Sequence, residues 1–373
     1  MPYPDQFLDK KINERIQGNY LRHLRIVEGM VDFCSNDYLG IATRRLLNPF
    51  FTGEEQHGSR GARTLAGNYV FIGETEKKIA AFHQSEAALI FNSGYAANTG
   101  IIAAVAQRGD IILYDALSHA SIRDGVRLSF ANSFSFSHND VSDLEEKIKL
   151  HRTGHSGQIF VVTESVFSMD GDIAPITAMV DICTQYNVHL IIDEAHAIGV
   201  LGEYGEGLVQ SQGLHDKVFA RIFTYGKAPG THGAAVCGSE KLKSFLVNFS
   251  RSFIYTTALP ESAVKAIHAT YEVFPHMKSE REKLKGLISS FQQADLIYTK
   301  LISATPIQGV IVPGNTAIKQ LALHLQENGL DIRAILYPSV PKGLERLRIS
   351  LHAFNTMDQL NQLIKLLGGS AGS

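Results

Sequence analysis

Apolar residues recur along the chain in short, unbroken runs bounded by glycine or polar turn signals: AALIF at 87–91, DIILYD at 110–115, IFVVTE at 159–164, VHLIID at 188–193 and RIFTY at 221–225. Runs without polar alternation predict strands buried on both faces. Between them lie stretches of helical spacing: ETEKKIAAFHQ at 74–84, a segment opening at GYAAN (94–98), SHASIRDGVRL at 118–128, NDVSDLEEKIKL at 139–150 and ITAMVDICTQYN at 176–187. This alternation predicts an α/β protein with a mainly parallel central sheet. Upstream, Phe7, Ile12, Ile16 and Leu21 give Asp5–Glu28 helical spacing, and VDFCSNDYLG (31–40) predicts a short strand and a turn. After Pro260 the texture changes. One long helical pattern (261–293) precedes shorter strand-like pieces, IQGVIVPG, LDIRAILY and RLRISLH, which reads as a smaller α+β C-terminal domain. The expected organisation is an N-terminal segment, 1–44, packing with a small domain, 271–373, and a large domain over 45–270.

Composition narrows the function classes. The 373 residues carry 35 Lys and Arg against 37 Asp and Glu, a net charge of −2, which argues against a protein built to coat nucleic acid or an anionic membrane. With 45% hydrophobic and 19% charged residues, the chain can build a large core. Cys34, Cys183 and Cys237 are scattered with no CxxC pair, so neither a disulfide framework nor a cysteine-rich metal site is expected, and a reducing, cytoplasmic setting fits. The opening MPYPDQFLDKKINERIQ is polar and has no apolar h-region, so secretion is not expected. Ala87–Ala106 is uncharged and long enough for a membrane span, but Asn92, Ser93, Gly94, Asn98, Thr99 and Gly100 interrupt it. It reads instead as a buried strand, a glycine turn and a core helix. The closing GGSAGS reads as a flexible tail.

In open α/β sheets, ligands bind outside the carboxyl ends of the strands. Five predicted strand ends carry polar or titratable groups: Asn92-Ser93-Gly94-Tyr95, then Ser118-His119, Phe167-Ser168-Met169-Asp170-Gly171, Asp193-Glu194 with His196, and Gly226-Lys227. This convergence is the main functional signal, although each piece has an ordinary reading. The letters Asp193-Glu194-Ala195-His196 also mark a class of helicases, which need a GxxxxGK[ST] phosphate loop. Arg221 and Ala228 break that pattern around Gly226-Lys227, so the loop is absent. A carboxylate at a strand end otherwise caps a turn or serves as a functional anion. A lysine after a strand is ordinarily solvated. Lys227, however, sits among Gly226, Ala228, Pro229 and Gly230, where a desolvated amine could act as a Schiff-base nucleophile. An aldehyde cofactor would then want an acid at its ring nitrogen, a part open to Asp193. Ser93-Gly94-Tyr95 is a helix cap or a phosphate cradle. His119 is a helix-start residue or a platform for a flat ring.

Taken together, SNDYLG (35–40), HGSRGARTLAG (57–67), FNSGYAAN (91–98), DALSHASIRDG (115–125), FSHND (136–140), TESVFSMDGDIAPI (163–176), IIDEAHAIGVLGEYGEG (191–207), TYGKAPGTHGAAVCG (224–238), FIYTTALP (253–260) and VPKGLERLRISLHAFNT (340–356) resemble the α-oxoamine synthases. These are pyridoxal-phosphate (PLP) transferases of fold type I, the aspartate-aminotransferase-like fold. The resemblance implies that Lys227 binds the cofactor aldehyde and removes the α-proton, and that Asp193 holds the ring nitrogen. His196 and Ser168 would bond the ring hydroxyl, and His119 would stack on the ring. Gly94, Tyr95 and Thr224 would meet the phosphate, joined by Thr256 or Thr257 from a second subunit of a homodimer. Arg348 would clamp the amino-acid carboxylate, Asn36 would contact substrate, and Arg22 would match an acyl-substrate contact. The implied reaction is a decarboxylative condensation of an amino acid with an acyl thioester on coenzyme A or acyl carrier protein. VPxGxxRLRISL and SNDYLG favour the member that joins L-alanine to a pimeloyl thioester in biotin synthesis. The alternative is a sister synthase that takes glycine or serine.

Overall fold

A computed structural model describes residues 4–370 and divides them into two compact units, so the tail residues 371–373 lie outside the described residues. One unit gathers the chain up to Ser35, Met169–Gly171 and everything from Lys283. The other holds Asn36–Ser168 and Asp172–Glu282. The strands are β1 (Val31–Asp32), β2 (Ala87–Phe91), β3 (Ile111–Asp115), β4 (Asn132–Phe136), β5 (Ile159–Glu164), β6 (His189–Asp193), β7 (Ala220–Thr224), β8 (Ala234–Gly238), β9 (Thr299–Lys300), β10 (Ile307–Ile311), β11 (Leu330–Asp331), β12 (Arg333–Ile335) and β13 (Arg346–Ser350).

The larger unit is built on a seven-stranded sheet in the order β2-β8-β7-β6-β5-β3-β4. β8 alone runs opposite to the other six strands, so its pairs with β2 and β7 are antiparallel and the rest are parallel. The predicted apolar runs all become strands of this sheet, four of them central and β2 at one edge, and every residue of β2, β5 and β7 is buried. Helices such as Gly94–Val105 and Ala120–Leu128 pack against them through Ala97, Ile101, Ile122 and Val126, closing a core with Leu89, Val162, Ile191 and Ile222. The uncharged stretch from Ala87 is β2, a turn and the helix Gly94–Val105, as its interruptions predict. No described helix is long and apolar enough to cross a membrane. Two strands escape the hydrophobic pattern. β4, NSFSF, is an edge strand with four exposed residues, and β8, AAVCG, is short and has Ala and Gly, which disfavour strands, at three of its five positions.

In the smaller unit β1 pairs in parallel with β11, tying the N-terminal segment to the C-terminal part of the chain, and β12-β13-β10-β9 form an antiparallel sheet. The opening helix is shorter than its spacing predicts. It spans Asp9–Gln17 and stops at Gly18 and Asn19, the latter at φ 55°, with no residue buried along it. With no face to bury, periodicity alone does not extend a helix. The long pattern after Pro260 is two helices, Glu261–Val273 and Lys278–Gln293, separated by a short 3-10 turn at Phe274–His276 that contains Pro275. Proline removes the backbone donor that an unbroken helix would need there.

His138 of FSHND fastens the loop after β4. Its Nδ1 donates to Asp115 at the end of β3 (2.9 Å) and its Nε2 to Asp172 (2.7 Å), while the Asn139 N–H donates to the second Asp115 oxygen (2.9 Å). Burial opposes the imidazolium charge, but the hydrogen bonds and charges of the two aspartates outweigh it and raise the pKa to about 10. The folded-state value lies above the unfolded 6.5, so this stabilisation is complete below about pH 6.5 and is lost as pH rises through about 10. His138→Ala is expected to cost about 1–3 kcal/mol at pH 7, since it removes the cation from between two carboxylates that keep only neutral donors. Denaturant unfolding of both proteins at pH 7 and above pH 10 checks this: the gap should narrow at the higher pH, and an equal gap at both would refute the charge assignment.

Candidate active site

A cavity of about 210 Å³ opens at the carboxyl edge of the seven-stranded sheet, and every parallel strand except β4 sends residues to it. Ser93, Gly94, Tyr95 and Asn98 follow β2, and His119 and Ser121 follow β3. Glu164 ends β5, Asp193 ends β6 with Ala195 and His196 after it, and Thr224, Gly226 and Lys227 close β7. His232 and Gly233 lead into β8, which enters from this same edge because it is antiparallel, and Asn36 completes the wall. Of the residues singled out from sequence, Asn36, Gly94, Tyr95, His119, Asp193, His196, Thr224 and Lys227 are therefore brought together. Ser168 and Thr257 are not among the lining residues. Arg348 lies on β13 of the smaller unit, where its Nη1 donates to the Ser350 hydroxyl (3.0 Å). Arg22 lines a separate cavity of about 1070 Å³ in that unit and reaches Ser339 Oγ at 3.4 Å.

The Asp-Glu-Ala-His run divides its labour by strand geometry. Asp193 is 5% exposed and faces the cavity. Its Oδ1 accepts the Ala195 N–H (2.8 Å) and its Oδ2 accepts Asn98 Nδ2 (2.6 Å). Glu194 turns into the core and accepts the Leu208 and Val209 amides at 2.7 and 3.1 Å, so it is the capping carboxylate of the pair; burial raises its pKa to about 7. His196 returns to the cavity, its Nδ1 2.8 Å from the Tyr38 hydroxyl, which itself donates to Asn36 Oδ1 (3.1 Å).

Ser93 caps the helix Gly94–Val105, its hydroxyl accepting the Ala96 N–H at 3.1 Å. The amides of Gly94 and Tyr95 sit in the first turn, where no intrahelical carbonyl can take them. A Cβ on Gly94 would stand 2.3 Å from Thr224 Cγ2, so only glycine lets the strand end and the helix start close into a cradle. Tyr95 turns its side chain outward to Asp124 and offers the cavity its backbone. His119 lines the cavity and also caps the helix Ala120–Leu128, as its helix-start reading expects, its Nδ1 accepting the Ser121 N–H at 3.2 Å. Burial lowers its pKa, and Lys227 adds to that against the pull of Asp193. Glu164, wholly buried and accepting the His119 N–H at 2.6 Å, is pushed well up by burial and then by the charge of Asp193.

Lys227 is half-buried in a turn fixed by its neighbours. Gly230 donates to the Lys227 carbonyl (2.8 Å), Thr231 to the Tyr225 carbonyl (2.8 Å), and the Thr270 hydroxyl to the Pro229 carbonyl (2.7 Å). Gly230 adopts φ +70°, and a Cβ there would meet Ile41 Cβ at 2.6 Å. Asn98, Ser121 and Glu164 are cavity residues to which sequence reasoning gave no role. Asn98 stands one turn after Gly94 in a helix made largely of small and apolar residues, but that spacing alone does not tell a buried amide from a solvated one.

The cavity suits a PLP-sized anion with an aldehyde. Thr224 Oγ1 is buried and makes no hydrogen bond among the described residues, next to two helix-start amides and a glycine whose missing side chain leaves room. An amine and a buried acid share the same small space.

A lysine and a buried aspartate facing a helix N-terminus at the carboxyl edge of such a sheet define a fold-type-I PLP enzyme. The sequence model "Aminotransferase class I and II" matches residues 28–367, and the chain belongs to that family. Within it, the chain is 38% identical to the 8-amino-7-oxononanoate synthase of Marinobacter nauticus, over 97% of this chain and 95% of that one. Among solved structures, 8-amino-7-oxononanoate synthase from Francisella tularensis is 30% identical, with a TM-score of 0.77 over 91% of this chain and 96% of that chain. Serine palmitoyltransferase from S. paucimobilis, solved with a bound PLP–myriocin compound, shares the fold at 24% identity, with a TM-score of 0.85 over 97% and 96% of the two chains.

Proposed function

We propose that this chain is a PLP-dependent acyltransferase that condenses L-alanine with a pimeloyl thioester, giving 8-amino-7-oxononanoate, CO2 and the free thiol carrier, in biotin synthesis. The observation that carries this is the meeting of Lys227, Asp193, His119 and the Gly94–Thr224 cradle in one small cavity. Bound PLP supplies an aldehyde for an amine and a ring that draws electrons from the substrate Cα.

The chain's own groups do the rest. Lys227 Nζ would hold the aldehyde and would take the proton from Cα of the amino acid. Asp193, a carboxylate held by two donors, would face the ring nitrogen and would keep a proton there. His119 would offer its ring as a platform for the cofactor ring and His196 would bond the ring hydroxyl, with Ser168, outside the cavity lining, joining it only as the resemblance implies. The amides of Gly94 and Tyr95 and the hydroxyl of Thr224 would take the phosphate, and in a homodimer Thr257 of a second copy would join them. The exposed side chains of Tyr255 and Thr257 and of Leu24 suit burial against a second copy. Arg348 pairs with the amino-acid carboxylate, a task suited to a planar guanidinium, while Asn36 and Arg22 contact substrate. The boundaries 44/45 and 270/271 remain our proposal for the sequence domains. A cytoplasmic setting agrees with three free cysteines.

A substrate panel tests the reading. With pimeloyl-CoA and PLP, alanine is expected to exceed glycine and serine in kcat/KM by about 10-fold or more, the discrimination that one methyl group or one unpaired hydroxyl supports. Thiol release measures it. Glycine or serine as the better substrate would move the chain to a sister synthase.

A further inference from the structure

We propose that Asn98 and Ser121 are positioning residues that join Asp193 and His119 into one hydrogen-bonded unit, fixing the orientation of the carboxylate and the tautomer of the imidazole. The inference rests on the roles proposed above for Asp193 and His119, and extends them to two side chains with no contact role of their own.

The line has a single direction. Asn98 is 2% exposed, and its Nδ2 donates one hydrogen to Asp193 Oδ2 (2.6 Å) and the other to Ser121 Oγ (3.0 Å). The carboxylate sets this orientation, because an amide oxygen turned toward Oδ2 would be repelled. Ser121 Oγ is thereby an acceptor from Asn98, and its own hydrogen goes to His119 Nδ1 at 2.8 Å. The Ser121 backbone N–H donates to that same nitrogen at 3.2 Å. With two donors on Nδ1, a neutral ring carries its hydrogen on Nε2. At the other end, Asp193 is gripped by donors from two elements, Asn98 on a helix and Ala195 in its own turn, so the plane of its carboxylate cannot rotate without breaking one of them.

A packing role alone does not explain these residues. Asn98 Oδ1 is buried and makes no hydrogen bond among the described residues, a cost that an apolar side chain of similar size would avoid. The two Nδ2 bonds are what the asparagine supplies. Lying one turn beyond Gly94 on the same helix, it also ties the phosphate cradle to the acid.

The test uses holoenzyme with ¹⁵N-labelled histidine, the His119 ring signals being assigned by their loss in His119→Gln. In the unmodified protein the His119 shifts should report hydrogen on Nε2 and a bare Nδ1. Ser121→Ala should move the ring toward a tautomer mixture and lower kcat about 10-fold with KM changed less than 2-fold, and Ser121→Thr should restore both. Asn98→Ala should lower kcat by a similar factor. Since all four groups act as one unit, the double variant should be no worse than the poorer single variant by more than about 2-fold. His119 ring shifts in Ser121→Ala identical to the unmodified protein would overturn the proposal, as would a double-variant loss equal to the product of the single losses. If the unmodified enzyme fails to turn over alanine, the proposed reaction falls, while the tautomer lock is judged separately by the ring shifts.

Discussion

Lys227→Ala is expected to lose the visible absorption of the enzyme–PLP complex and at least about 10³-fold in turnover. The cavity lining contains no second lysine that could take over as amine or base. Nor is the position able to slide. Buried Ala228 and Pro229 follow it, the Pro229 carbonyl is held by Thr270, and Gly230 closes the turn back onto the Lys227 carbonyl. Lys227→Arg is the informative companion. It keeps a cation in the same turn but offers a guanidinium that neither forms the covalent link nor releases a proton near neutrality, so it should be as inactive as the alanine variant. Spectra of the purified proteins with PLP, followed by thiol release with alanine and pimeloyl-CoA, give both readouts. Turnover within 10-fold of the unmodified enzyme in either variant would remove Lys227 from the chemistry.

The second large effect belongs to Asp193→Asn, which should reduce alanine turnover by about 10²- to 10⁴-fold while the protein still retains PLP. Asparagine keeps the shape of the side chain and can still accept the Ala195 amide, although its NH2 cannot take the bond that Asn98 donates to Oδ2. What it lacks is the negative charge opposite the ring nitrogen, which no other described group supplies in the same way. Glu164 is buried and its pKa is pushed well up, so its carboxyl cannot substitute as an anion without a large desolvation cost. Exchange of the alanine α-hydrogen with deuterium in solvent, measured without acyl thioester, isolates the step that needs the charge. Exchange as fast as in the unmodified enzyme would sink the assignment.

These two residues also show how much of the site was legible in the chain. Lys227 and Asp193 each follow an unbroken apolar run, and the rule that ligands gather at carboxyl strand ends placed both at one edge before any coordinates. His119 and His196 were found by the same rule. Asn98 and Ser121 were not, because a polar residue inside a helix has no sequence mark separating a solvated position from one aimed at a buried acid. Glu194 was ambiguous for the same reason: beside Asp193 in sequence, it becomes a cap only because Leu208 and Val209 come back across it.

The hydrophobic pattern by itself determined the alternation of buried strands and helices, the mainly parallel sheet and the edge where polar groups collect, because apolar burial on both faces of a strand is a local property of its residues. The tertiary structure alone decided the reversed insertion of β8 between β2 and β7, the early end of the first helix and the break at Pro275. It also decided which of two adjacent carboxylates faces the cavity. Those outcomes depend on partners distant in sequence, and a strand of small residues or a helix without a buried face carries too little free energy of its own to announce where it will pair or stop.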